Sequence, residues 1–266
     1  MDQLHLAWFD RWLKGCEAAW TKDERVRLFC MGENRWHDLA AWPPPSTPTL
    51  WYFHGSGGAH SRAGDGYLDR TEPAAEPPDQ YTYDPRDATP SAPSLEAFVT
   101  GAGPLDHLDR AFVESRRDVL VYTSSALSEP LTIVGTPRVR LWASSSAVDT
   151  DFAAALCVVD SEGASTIVSE GLIRTSYRTG DGPCQPVPAH SVSLYEIPMN
   201  ATSMTVPEGH RLRVDITSAE FPAYDRNPNT GALVGDDEII SAAVQRIWHS
   251  VGHPSHIELP VLPGWP

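Results

Sequence analysis

The sequence predicts a mostly β protein, an antiparallel β-sandwich of jelly-roll type preceded by one amphipathic helix. Three observations predict it. Short apolar runs, β-branched or alternating, recur along the chain and are divided by Gly, Pro, Asp and Ser. The 24 prolines among 266 residues are too many for long helices or for a doubly wound sheet. Only one early stretch has convincing helical periodicity, and a two-sheet architecture with frequent turns follows.

That stretch is LHLAWFDRWLK, residues 4–14, with apolar side chains at Leu4, Trp8 and Trp12 and again at Leu6, Phe9 and Leu13, stopping at Gly15. A helix of three to four turns bearing three large aromatics is poorly soluble alone, so it is expected to pack on another body. After Trp20 the expected strands are VRLFCMG, TLWYF, DVLVYTS, LTIVG, RVRLWASS, FAAALCVVD, STIVSEGLIRTSYR, HSVSLYEIPM, HRLRVDITS and HIELPVLP. The natural division is residues 1–20 as a helical segment and 21–266 as the β domain. Residues 60–118, with TEPAAEPPD and DPRDATPSAPS, are expected to form a long surface excursion, since their prolines exclude central-strand pairing. A second excursion spans 222–246, where DDEIISAAVQ fits a helical turn or a late strand.

The balance of 20 Lys+Arg against 35 Asp+Glu gives 20 − 35 = −15. That charge repels phosphate backbones and anionic bilayers, so neither nucleic acid nor a membrane is an expected partner. No apolar run approaches membrane-spanning length, and MDQLHLAWFDRWLKG is not built like a signal peptide. Cys16, Cys30, Cys157 and Cys184 are scattered without paired spacing, which fits a reduced, cytoplasmic setting. Cys30 and Cys157 sit in apolar runs, as small buried hydrophobes do.

Candidate chemistry starts at WYFHGSGGAHS, residues 51–61, where a serine lies among glycines with a histidine on either side. A nucleophile elbow has the form G-x-S-x-G between a strand and a helix, and that spacing occurs nowhere in the chain. Ser56 has a glycine directly before it and is followed by proline-broken sequence, so a glycine-rich turn is the expected outcome. His249, His253 and His256 have gaps wider than a helical zinc pair and read as a loop of hydrogen-bonding histidines. A cupin-type metal site would need His and Glu on neighbouring strands, and strand-borne histidines look scarce; no metal and no cofactor is expected. Asp149 and Asp151 lie two apart, facing the same side of a strand, a geometry for Ca²⁺ or for an arginine. Without further oxygen ligands nearby, arginine or backbone partners are favoured, from Arg211, Arg213 or Arg226. FPAYDRNPNTG, residues 221–231, reads as a turn whose Asn227 and Asn229 satisfy local backbone groups.

The blocks LAWFDRWLKG, VRLFCMGENRWHDL, DVLVYTSSALSEPLTIVGTPRVRLWASSSAVDTDF, GLIRTSYR, PEGHRLRVDITSAEFPAYDRNPNTG and HPSHIELPVLP occur in that order. Together they resemble the C-terminal part of the cocaine esterase-like (CocE/NonD) α/β-hydrolase family, which shares a C-terminal domain with Xaa-Pro dipeptidyl-peptidases. The resemblance implies a galactose-binding-like jelly roll, with residues 1–20 the last helix of a hydrolase core. It also implies that the Ser-His-Asp triad lies upstream of Met1, so no catalytic residue is expected here. The implied partner is that α/β-hydrolase core, in cis or in trans, with homo-oligomerisation as an added possibility. The residues it marks as interface or structural candidates are Trp8, Phe9, Trp12, Asp149, Asp151, Phe152, His210, Arg211, Phe221, Tyr224, Arg226, Asn227 and Asn229. One departure from the family pattern is Val158, where an acid is expected. The rival reading is a stand-alone jelly roll that binds carbohydrate or another small ligand through some of the nine tryptophans, although Trp42, Trp142 and Trp248 sit in contexts suited to packing.

Overall fold

The computed structural model of the chain describes residues 2–16, 26–91, 110–180, 182, 184–232 and 239–264. Helix α1 spans Asp2–Lys14. It ends where Gly15 takes a left-handed φ of 70° and its N–H reaches the Arg11 carbonyl at 3.1 Å. Its large side chains face solvent: Trp8, Phe9, Trp12 and Leu13 are 50%, 52%, 63% and 76% exposed.

Strands β1 (Val26–Cys30) and β2 (Arg35–Leu39) form a separate hairpin, joined to the main body where Met31 exchanges backbone hydrogen bonds with Ser203 and Thr205. The main body holds β3 (Thr47–His54), β4 (Tyr67–Asp69), β5 (Asp79–Tyr83), β6 (Leu120–Ser124), β7 (Leu131–Gly135), β8 (Arg138–Ser145), β9 (Asp151–Val159) and β10 (Ser165–Arg174). It continues with β11 (Ser193–Pro198), β12 (Thr202–Val206), β13 (Arg211–Thr217), β14 (Ala243–Ser250), β15 (His253–Pro254) and β16 (His256–Val261).

One layer runs β10-β9-β13-β6; β4 and β3 carry the hydrogen bonding over to a second layer, β16-β8-β14. There β11 flanks β8, β5 flanks β14, and the β7–β12 pair flanks β16. The core lies between the layers, where Phe53 stacks on Tyr122 at 4.6 Å and Phe152 meets Tyr195 at 5.2 Å. A fully buried side chain of this size contributes about 1.5–3 kcal/mol, so a core of this extent can carry the fold without metal or disulfide. All four cysteines are free, and Cys30 and Cys157 are buried as expected.

The chain is thus a mostly β sandwich led by one helix, as the sequence predicts, with two differences. The pairing is not wholly antiparallel, because β4 runs parallel to β6. Residues 92–109 of the 60–118 excursion lie outside the described residues, and the rest is not merely surface loop: it supplies β4 and β5, with Leu68, Asp79, Tyr81, Tyr83, Arg110 and Glu114 all buried. Two surfaces account for this: Leu68, Tyr81 and Tyr83 enter the core between the layers, and the nine residues of β9 are all buried. Phe152, Ala154, Leu156 and Val158 point into the core, and the opposite face, with Cys157, is covered near Glu114 by the returning excursion. The prolines of TEPAAEPPD precede β5 without interrupting it, and among the described residues β5 pairs through a single neighbour, β14, so prolines at its ends are tolerated as on an edge strand. Of the two outcomes offered for DDEIISAAVQ the late strand holds at its end, where Ala243 opens β14; residues 233–238, which include its first three, lie outside the described residues.

Candidate functional site

The HGSGG turn follows β3, and its backbone wraps the chain's own acids. The Gly55 amide donates to Glu76 Oε2 at 3.1 Å, Ser56 and Gly58 donate to Asp65 at 3.0 and 3.1 Å, and Ala59 donates to Asp79 Oδ1 at 3.0 Å. This explains the glycines: a Cβ at Gly55 would stand 3.1 Å from Asp79 Oδ2, and one at Gly58 3.3 Å from the Asp65 carboxylate. An oxyanion hole needs N–H groups aimed at empty space where charge develops, and these four are already taken. His54, on β3, is engaged at both nitrogens, with Glu76 Oε1 at 2.9 Å and the Thr71 carbonyl at 3.1 Å. Among the described residues the Ser56 hydroxyl has no imidazole partner, so the nucleophile–base pair of an acyl hydrolase is not formed in this turn.

The same acids reach β14. His249, fully buried, places Nδ1 3.1 Å from Glu76 Oε2 and Nε2 2.8 Å from Asp79 Oδ2, while the Tyr122 hydroxyl donates to Asp79 at 2.9 Å. Burial disfavours the imidazolium, but the hydrogen bonds and charges of Asp79 and Glu76 outweigh it and hold His249 above the usual histidine range. For Glu76 burial acts upward, and the bonds from His54 and the Gly55 amide, with His249, pull it below the usual carboxylate range. The three C-terminal histidines therefore do not share a loop: His249 is on β14, His253 on β15 between the rings of Trp142 and Trp248, and His256 on β16 against Tyr52. With His54 on β3 and His37 on β2, histidines are common on strands here. Strict alternation along AVQRIWHS, with Ala243, Gln245, Ile247 and His249 inward, is the signal that could have located His249.

Asp149, Asp151 and Asn227 come together at the start of β9. The Asn227 side-chain amide donates to Asp149 Oδ2 at 3.2 Å and Asp151 Oδ1 at 2.8 Å, bridging the two carboxylates. Asp149 also accepts from the Thr175 hydroxyl and the Ser176 amide. Asp151 does take an arginine, but it is Arg174, whose Nε and Nη2 grip both oxygens at 2.8 and 2.9 Å. Burial still raises the Asp151 carboxyl against the pull of Arg174 and Asn227. Arg174 lies opposite Asp151 in the β9–β10 ladder, a partner that no sequence spacing reveals. The three arginines expected there are elsewhere: Arg211 donates to the Ser124 carbonyl, Arg213 pairs with Glu114, and Arg226 donates to the Pro85 carbonyl while lying 5.0 Å over the Phe221 ring.

The other candidates divide by position. Asn229, at a φ of 65°, donates its amide N–H to the Asn227 side chain and its Nδ2 to the Ser241 carbonyl, the local satisfaction expected of it. Tyr224 is half-buried, and Phe152 and Val158 are in the apolar core. His210 is half-buried beside the Glu208 carbonyl at the β12–β13 turn. Trp8, Phe9 and Trp12 share α1.

Sequence reading missed a buried charge cluster on the covered face of β9 and β13. Arg110 spans Asp215 at 2.8 Å and Glu220 at 2.9 Å, all three nearly or fully buried, and Arg213 pairs with Glu114 beside them. Burial outweighs Arg110 and pushes Asp215 up to about 6 and Glu220 up to about 7. Glu114, Cys157 and Asp215 converge within 4.8 Å, but guanidinium groups already neutralise both carboxylates, and burial raises the thiol of Cys157.

The family model for the X-Pro dipeptidyl-peptidase C-terminal non-catalytic domain matches residues 18–258. Cocaine esterase of Rhodococcus sp. (strain MB1 Bresler) is 39% identical over 265 residues, an alignment that takes 97% of this chain and 45% of that protein. The crystal structure of an aminopeptidase from a marine sediment Thaumarchaeota archaeon matches with a TM-score of 0.81 at 28% identity, over 97% of this chain and 43% of that one. An α-amino acid ester hydrolase matches with a TM-score of 0.77 at 29% identity, over 96% of this chain and 44% of that one. The chain thus spans less than half the length of each of these relatives.

Proposed function

We propose that this chain, which belongs to the family of X-Pro dipeptidyl-peptidase C-terminal non-catalytic domains, is the jelly-roll accessory part of a serine acyl hydrolase acting on esters or amides. The observation that carries this reading is the span of the match. The chain aligns almost end to end with less than half of a cocaine esterase and of two solved hydrolases. In this reading the triad belongs to an α/β-hydrolase core, in cis or in trans, within a cytoplasmic protein. Helix α1, with residues 1–20, is the last element of that core, and its exposed aromatics are the packing face. The loop of Phe221, Tyr224 and Arg226, held from beneath by Asn227, forms part of the wall that the β domain presents to the core. The amides of Gly55, Ser56, Gly58 and Ala59, spoken for by Glu76, Asp65 and Asp79, support a structural role for that turn.

The test is hydrolysis of p-nitrophenyl esters by the purified chain. Release at the buffer rate, unchanged by Ser56→Ala, is expected. Turnover at enzymatic rates that Ser56→Ala abolishes would place the nucleophile in this chain and overturn the proposal.

A further inference from the structure

A cleft of about 570 Å³ opens at the seam between the two layers, where edge strands β10 and β11 face each other. The seam is tight at one end. The Ser169 hydroxyl and the Asn200 amide bond across it at 2.6 and 2.7 Å, and a Cβ at Gly171 would stand 2.3 Å from the Pro198 carbonyl oxygen. From Leu172 onward it widens into the cleft, whose wall includes Arg138, Arg174, Tyr177, Arg178 and Glu196. In a chain of formal charge −15, this lining has three guanidinium groups and one carboxylate.

Two of the three are pinned from behind. Arg174 commits Nε and Nη2 to Asp151, and Arg178 commits Nη1 to the carbonyls of Thr175 and Gln185 at 3.1 and 2.6 Å. Among the described residues, Nη1 of Arg174 and Nε and Nη2 of Arg178 have no hydrogen-bond partner. Arg138 stands 3.8 Å from Glu196, beyond hydrogen-bond distance. Guanidinium groups held in place lose little freedom on binding, and their planar forks match a carboxylate. Leu172 and the exposed Tyr177 supply apolar surface beside them, and the volume falls within the roughly 300–1,000 Å³ of small-molecule sites.

We propose that this cleft binds an organic carboxylate, the carboxyl group on Arg174 and Arg178 and the apolar body against Leu172 and Tyr177. The inference is independent of the function proposed above, since it needs only the β domain. The test titrates the chain with 2-naphthoate by calorimetry, with 2-naphthylmethanol as the neutral control. Saturable binding of the naphthoate is expected, weakened about tenfold or more in the alcohol and in Arg178→Gln, a loss equivalent to about 1.4 kcal/mol. Arg138→Gln, at an exposed side chain, is a second variant that leaves the fold untouched and should also weaken binding. No saturable binding, equal affinity for the alcohol, or undiminished affinity in both variants would overturn the proposal.

Discussion

At the scale of single residues, the pressing question is how two buried acids two positions apart coexist. Asp149 and Asp151 are 5% and 1% exposed, and like charges that close repel unless each is satisfied. Arg174 from the ladder satisfies Asp151, the Thr175 hydroxyl and the Ser176 amide satisfy Asp149, and Asn227, from a loop more than 70 residues downstream, donates to both. Removing the amide in Asn227→Ala leaves Asp149 and Asp151 each short of a donor and cuts the tie that positions the 221–231 loop. We expect a loss of about 1–3 kcal/mol in urea denaturation. Asn227→Asp, nearly isosteric, puts a third carboxylate against the pair and should cost more at neutral pH than the alanine. If the two variants lose equal stability, or none, the bridge is not what holds the junction. The sequence shows the Asp pair and the asparagine-rich turn as separate features; that they meet is a tertiary fact, which local spacing does not encode.

At the scale of elements, β14 ties the end of the sandwich to the HGSGG turn through His249. The carboxylate oxygens of Glu76 and Asp79 accept at both His249 nitrogens, so the geometry is satisfied only by the doubly protonated ring. A histidine whose folded pKa is raised contributes stability in full below about pH 6.5, its unfolded value, and loses that contribution as pH rises through the folded value. Glu76, lowered in the fold, contributes above its ordinary value and loses that contribution as pH falls through its folded one. Melting temperature followed from pH 4 to 9 should therefore fall on the alkaline side in the native chain, and His249→Gln should flatten that limb while lowering the plateau. An alkaline limb of the same slope in the variant would assign it to other groups. The elements themselves were legible to different degrees. Strands with sustained β-branched runs, such as DVLVYTS and FAAALCVVD, announce themselves because both faces are buried. Short β4 and β5 do not, because the alternation of a three- to five-residue strand amid proline and acid is too brief to stand out, and what places them is the inter-layer core that Leu68, Tyr81 and Tyr83 enter.

At the scale of the whole molecule, the apolar balance of the chain is uneven. The sandwich buries its core residues nearly completely, whereas α1 turns both of its aromatic stripes outward. Phe9, Trp12 and Leu13, each more than half exposed on one helix, make an apolar patch of the kind that marks interaction surfaces. The helix was legible from periodicity and its Gly15 stop, because both are local properties of eleven or so residues. Phe9→Gln with Trp12→Gln keeps good helix formers while removing that surface. If α1 serves an outside partner, the double variant should leave the unfolding free energy of the sandwich in urea within about 0.5 kcal/mol of the parent, the range of surface substitutions. It should also lower dye binding by exposed apolar surface and concentration-dependent association in sedimentation. A loss of several kcal/mol would instead mean that the helix holds the sandwich together from within, and the packing face assigned to a hydrolase core would have to be given up.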